Sequence, residues 1–152
     1  MLSNFHIRPA GMADAQTIAA CVADAYRHYI ARIGRPPRPM LENYAEVIQQ
    51  RQVCVADLGG KIVGVLVLAT TEEGFLLDNI AVHPSCQGKG VGKALLEFAQ
   101  SEARRRGFTS IYLYTHEKMT ENRSLYAKIG YVEYDRRTED IYHRVYMRKQ
   151  LT

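Results

Sequence analysis

An apolar run, a proline, three alternate glycines and a long helical pattern follow one another between residues 75 and 106, and this order constrains the fold most. Residues 75–82 read as a central strand, which Pro84 ends. Gly88, Gly90 and Gly92 turn the chain, and residues 91–106 then carry Val91, Leu95, Phe98, Ala99 and Glu102 along helical faces. Gly107 is placed to cap that helix, and residues 110–115 form another strand. Two strands joined through a helix lie parallel, so part of the sheet must be parallel.

The remaining segments fill in around this crossover. Residues 5–8 read as a short strand stopped at Pro9, and residues 14–30 as a helix with Ile18, Cys21, Val22, Ala25, Tyr26 and Tyr29 at helical spacing. Residues 34–39 hold three prolines that break it, and helix resumes over 40–50 with Leu41, Tyr44, Val47 and Ile48 on one side. Residues 53–58 and 61–68 suit a hairpin turning at Gly59-Gly60, with a break at 70–74 before the central strand. Residues 121–129 form a short helix closed by Gly130, and 131–136 and 142–148 are the last strands. The expected class is α/β (α+β), a mixed central sheet of six to seven strands flanked by about four helices. There is no repeat and no linker, so residues 3–150 are expected to form a single domain.

Composition narrows the function. The chain has 152 residues, 47% hydrophobic and 24% charged, the balance of a soluble globular protein. No apolar run approaches the ~20 residues that span a bilayer. Residues 1–10 lack the pattern of a secretory signal, so a cytoplasmic protein without membrane partners is expected. Cys21, Cys54 and Cys86 are widely spaced and read as reduced thiols; His6, His28, His83 and His143 show no metal-ligand spacing, so no metal is expected. A net charge of +4 favours an anionic partner, either nucleic acid or a phosphorylated cofactor. Arg104-Arg105-Arg106 closes a helix, where cations suit the dipole, and no interleaved basic and aromatic pattern supports nucleic acid.

The glycine loop carries the chemistry. Its glycines let the backbone approach a ligand closely, and the N–H groups at the helix start favour an anion. Lys89 and Lys93 add positive charge, and each N–H bond to a charged oxygen contributes roughly 1.5–3 kcal/mol, so several could hold a diphosphate. The loop is not a Walker A sequence, because Lys93 follows Gly92 and precedes Ala94. Nor is it a dinucleotide fingerprint, since Lys93 stands where the last glycine is required.

Gln87-Gly88-Lys89-Gly90-Val91-Gly92 resembles the Gln/Arg-x-x-Gly-x-Gly/Ala loop of the GNAT acetyltransferases, and Asn79-Ile80-Ala81-Val82-His83-Pro84 resembles the strand that leads into it. Asn122-Arg123-Ser124-Leu125-Tyr126 through Gly130-Tyr131 is similar to the family's second signature. The resemblance implies an acetyl-CoA-dependent N-acetyltransferase acting on a primary amine of a small molecule or peptide. It implies that Gln87, Gly88, Lys89, Gly90, Val91, Gly92 and Lys93 hold the CoA diphosphate, and that backbone groups of Ile80, Ala81 and Val82 pair with the pantetheine arm. Asn122 would orient that arm, Tyr126 would be the general acid, and Lys128 either reaches a phosphate or is a solvated helix lysine. Family members are often dimers, so a homodimer is one state open to the chain. A non-catalytic acyl-CoA-binding module is the alternative.

Two points stay open in the sequence. A phenol of pKa ~10 giving its proton to a thiolate of a thiol of pKa ~8.5 works uphill by about 2 kcal/mol, so hydrogen bonding to the developing charge is the safer role for Tyr126. The base is one of Asp78, Glu72, Glu73 and His116, or a water relayed by one of them, and Asp78 could equally be a structural hydrogen-bonding residue. The acceptor side is expected near Tyr26, Tyr29, Arg32, Arg35 and Arg38, which suit an acidic or amino-acid-like amine.

Overall fold

A computed structural model describes residues 4–152; Ser3, the expected domain start, lies outside the described residues. The strands are β1 (Phe5–Pro9), β2 (Gln52–Leu58), β3 (Lys61–Thr71), β4 (Gly74–Val82), β5 (Ser110–His116), β6 (Val132–Glu139) and β7 (Tyr142–Gln150). The helices are α1 (Ala15–Tyr26), α2 (Tyr29–Ile33), α3 (Tyr44–Gln50), α4 (Val91–Arg105) and α5 (Thr120–Lys128). Seven strands are hydrogen-bonded in the order β1-β2-β3-β4-β5-β7-β6. The crossover strands β4 and β5 are parallel, as their helical connection requires, and residues 75–77 lie opposite 111–113. All other registered pairs are antiparallel.

The chain contacts divide into two compact units, one of residues up to Leu68 with Asn79–Ala99, the other of Ala69–Asp78 with Gln100–Thr152. In the first, β2 is buried over residues 53–57 and β3 over residues 62–68, the signature of strands covered on both faces. Gly64 explains how α4 reaches β3: a Cβ there would lie 2.9 Å from both Leu95 Cδ1 and Val91 Cγ1 and 3.2 Å from Ala56 Cβ. Val91 and Leu95 are fully buried, so neither can yield. Arg8 fastens β1 to its neighbours through Asp14 at 2.9 Å and Asp57 at 2.9 Å, and holds both carboxyls below their ordinary range.

In the second unit, Leu76, Tyr112 and Tyr146 form a buried cluster with Tyr114 packed against it. Arginines lie over these rings: Arg137 is 3.9 Å from the Tyr146 ring centre, Arg144 is 4.2 Å from Tyr114 and Arg148 is 5.1 Å from Tyr112. Each guanidinium thereby shields an aromatic face while keeping a carboxylate or carbonyl partner, as in the Arg144–Glu139 pair at 2.9 Å.

Five α-helices stand where about four were expected. The helix anticipated over 14–30 divides after Tyr26, where the Ile30 N–H bonds Arg27 three residues back rather than four. The helix anticipated from residue 40 starts at Tyr44, because the Asn43 side chain caps the amides of Ala45 and Glu46 while residues 38–41 form a 3-10 turn around Pro39. The break at 70–74 shrinks as β3 runs on to Thr71, whose hydroxyl accepts from the Glu73 N–H at 3.1 Å. At the end of α4, Gly107 N–H bonds Arg104 and Phe108 N–H bonds Ala103, the paired closure expected of a glycine in this place.

Replacing Gly64 with alanine should destabilise the fold by about 1–3 kcal/mol through overpacking against α4. Thermal melting checks this: a fall of several degrees is expected.

Candidate active site

The link from β4 into α4 is built by side chains of three segments. His83 leaves β4, and its Nδ1 accepts the Ser85 N–H at 3.2 Å and lies 2.8 Å from the Ser85 hydroxyl. Its Nε2 lies 3.3 Å from a carboxylate oxygen of Asp24 on α1. With Nδ1 accepting the Ser85 N–H, a neutral ring carries its proton on Nε2, facing Asp24. This Asp24–His83–Ser85 chain pins the 3-10 turn Pro84–Cys86 to α1, with Cys86 N–H bonding the His83 carbonyl at 2.9 Å. Gln87 folds back to donate to the Val82 carbonyl at 3.4 Å.

Beyond Gln87 the backbone turns through the left-handed region at Gly88 (φ 75°) and Gly90 (φ 92°), which side chains with a Cβ rarely adopt. The first helical bond is from Ala94 N–H to the Gly90 carbonyl at 3.1 Å. Among the described residues, the N–H groups of residues 88–93 form no hydrogen bond of ordinary geometry. Lys89 and Lys93 are exposed beside them. Six amide donors, two ammonium groups and the positive end of α4 thus occupy one short stretch, with the electrostatics of an anion cradle.

Upstream, Asn79 is buried in β4 and ties three segments together. Its carbonyl accepts from the Tyr26 hydroxyl at 2.8 Å, its amide donates to the Tyr44 hydroxyl at 3.2 Å, and Tyr44 donates to the Pro39 carbonyl at 2.7 Å. Tyr26 also reaches the Ile80 carbonyl at 2.9 Å. Tyr26 and Tyr29 are buried, whereas Arg32, Arg35 and Arg38 are exposed on the segment that follows. Arg32 nonetheless lies over the Tyr29 ring, 5.2 Å from its centre.

The second unit contains the other candidates. Tyr126 is the one buried residue of α5, with Leu125 exposed beside it. Asn122 is half-buried next to Met119, and Lys128 is exposed. The base candidates differ sharply. Glu73 is gripped by Arg137 at 2.5 and 2.9 Å and by the Tyr134 hydroxyl at 3.1 Å, and Arg137 holds its carboxyl below the ordinary range. His116 is buried, which lowers its pKa, and its Nδ1 accepts the Lys118 N–H at 3.1 Å, leaving the proton on Nε2. Glu72 is exposed in the turn. Asp78 is half-buried and accepts the Tyr114 hydroxyl at 3.0 Å, which orients the carboxylate.

Sequence reasoning missed His83, Asp24 and Ser85. The His-Pro-Ser order is a local capping signal that was available, but the reach of Asp24 across 59 residues has no signature in the chain. Cys21, Cys54 and Cys86 are buried and not joined in disulfides, and burial pushes the Cys21 thiol up to about 11. Among the described residues, no group of three or more His, Cys, Asp or Glu side chains is arranged to hold a metal, and no helix is long and apolar enough to cross a membrane.

The acetyltransferase (GNAT) domain family matches residues 49–133, more than half of the chain. The chain belongs to the GNAT acetyltransferase family. The matched span contains the glycine loop, Asn122 and Tyr126. The fold is that of solved GNAT structures. One is the PaiA N-acetyltransferase of Thermoplasma acidophilum in complex with coenzyme A, at a TM-score of 0.81 and 20% identity, covering 97% of this chain and 99% of that one. Another is a ribosomal-protein alanine N-acetyltransferase of Escherichia coli, at a TM-score of 0.77 and 20% identity, covering 97% and 94%. A mycothiol acetyltransferase of Renibacterium salmoninarum is 36% identical over 56 residues, which are 37% of this chain and only 17% of that protein.

The His83 clamp has a direct test. In His83→Ala, amide exchange at Ser85 should quicken roughly tenfold as one hydrogen bond is lost, whereas His83→Asn, which can still accept, should keep most of the protection. Amide hydrogen exchange of the free protein measures this.

Proposed function

We propose that this GNAT protein transfers the acetyl group of acetyl-CoA to a primary amine of a small molecule or peptide by direct attack. The observation that carries this reading is the run of uncommitted amides at residues 88–93, beside Lys89 and Lys93 at the start of a 15-residue helix. A diphosphate has the charge and the acceptor oxygens such a cradle requires. The relative from Thermoplasma acidophilum, in complex with coenzyme A, supports the assignment. Gln87, Gly88, Lys89, Gly90, Val91, Gly92 and Lys93 are assigned to the diphosphate. The backbone of Ile80, Ala81 and Val82 is assigned to the pantetheine arm, with Asn122 and Lys128 as further contacts. Residues 3–150 are taken as one acetyltransferase domain of a cytoplasmic protein that needs no metal.

The chemistry follows from these roles. The amine nitrogen attacks the acetyl carbonyl carbon, the carbon–sulfur bond breaks, and the amine sheds one proton while the thiolate gains one. Tyr126 donates toward the departing sulfur. Asp78, held by Tyr114, is the base this reading favours, since Glu73 is committed to Arg137 and His116 is buried with its Nδ1 accepting from Lys118. A carboxylate is a weak base, which suits an acceptor of low pKa. Neutralising an α-amino group of pKa ~8 at pH 7 costs only ~1 kcal/mol, against ~4–5 kcal/mol for a lysine. The names of the relatives, one a mycothiol enzyme and one acting on a ribosomal-protein alanine, include both a small molecule and a peptide.

Titration of the protein with CoA in a calorimeter should give saturable heat, and Gly90→Val should weaken binding by at least about tenfold, because the backbone could no longer hold φ near 92°. No heat with millimolar CoA would end this reading. Turnover is tested by thiol release against amino acids, polyamines, aminoglycosides and peptide N-termini. Tyr126→Phe should lower kcat by roughly 100-fold while CoA affinity stays the same. Binding without thiol release for any amine would instead identify a non-catalytic acyl-CoA module.

A further inference from the structure

The turn between β4 and the glycine loop carries a cluster that acetyl transfer to an amine does not use. His83 and Asp24 are half-buried there, whereas Ser85 is exposed. Ser85 Oγ lies 2.8 Å from His83 Nδ1, and His83 Nε2 lies 3.3 Å from Asp24 Oδ2. The other carboxylate oxygen, Oδ1, is 2.9 Å from the Arg27 guanidinium, so Asp24 is held from its far side. A hydroxyl, an imidazole and a carboxylate are thus linked in sequence within one compact unit.

Capping the turn does not require all three groups. The cap is the Ser85 N–H donating to Nδ1 at 3.2 Å, and any residue but proline at position 85 supplies that N–H. The hydroxyl is an additional and shorter contact on the same nitrogen. Because Nδ1 accepts the N–H it carries no proton, and it is free to take one from Oγ. The ring proton on Nε2 faces Asp24, a carboxylate placed to stabilise the imidazolium that such a transfer creates. The Cys86 sulfur lies 3.6 Å from Oγ but is buried, so the oxygen is the nucleophile a reagent from solvent meets first.

We propose that Ser85 is a base-activated nucleophile that takes up a short acyl group from an activated ester, forming an O-acyl adduct. Oγ bonds to the carbonyl carbon as its proton passes to His83 Nδ1. The bond from that carbon to the leaving oxygen then breaks, and the imidazolium returns its proton to the leaving group or to solvent. Ser85 and His83 are the catalytic residues of this step. Asp24 is a positioning residue that fixes the ring and its tautomer. The step needs neither coenzyme A nor an amine, so it stands or falls apart from the proposed acetyl transfer.

The test treats the full chain with p-nitrophenyl acetate, follows p-nitrophenolate release, and locates acetyl groups by peptide mass spectrometry after an acid quench. A rapid release is expected, with the acetyl group on Ser85, and Ser85→Ala should abolish that phase. His83→Asn is the decisive variant, since asparagine still accepts the Ser85 N–H but cannot take up a proton. Acylation of Ser85 should slow roughly 100-fold in it, while amide exchange at Ser85 shows that the cap persists. Asp24→Asn should slow acylation about tenfold, and Asp24→Glu should recover most of the rate. Acetyl groups on lysines alone, no adduct at Ser85, or the parent rate in His83→Asn or Asp24→Asn would each overturn the proposal.

Discussion

A helix cannot satisfy its own first amides, and the region entering α4 leaves this problem unsolved from Gly88 to Lys93. Most helix starts resolve it with a capping side chain, as Asn43 does for α3. Before α4, His83 instead caps the Pro84–Cys86 turn and is itself held by Asp24. The consequence is a stiff approach followed by open donors. Gly64 completes the arrangement by letting the helix lie close on β3, so the donors sit on a fixed base.

The same division of labour recurs in the second unit. Glu73, Asp135 and Glu139 are spent on arginines that themselves lie over tyrosine rings, and these groups supply rigidity rather than chemistry. Against that background Asp78 and the Tyr126–Tyr131 pair differ. Asp78 accepts from the Tyr114 phenol, and the buried rings of Tyr126 and Tyr131 pack edge to face. Ion pairs at the surface contribute little net stability, so their role here is mainly geometric.

Much of this was legible in the chain. The seven strands, the parallel crossover and the long helix followed from apolar periodicity and from proline and glycine punctuation, because those signals are local. The glycine loop was legible for the same reason, since its glycines and lysines are contiguous. Helix ends were harder: the division after Tyr26 and the start at Tyr44 depend on one amide choosing a nearer carbonyl and on one asparagine folding back. The base could not be singled out, because Glu73, Asp78 and His116 differ only in what lies opposite them, Arg137, Tyr114 and the Lys118 amide.

The buried cysteines acquire a meaning from the proposed reaction. Each turnover would liberate a mercaptan next to the polypeptide, and an accessible thiolate of the protein could be trapped with it as a mixed disulfide under oxidising stress. Shielding all three sulfurs, with Cys21 held in its protonated form by its apolar surroundings, removes the nucleophile such trapping needs. The core thus insulates the catalyst from its own product.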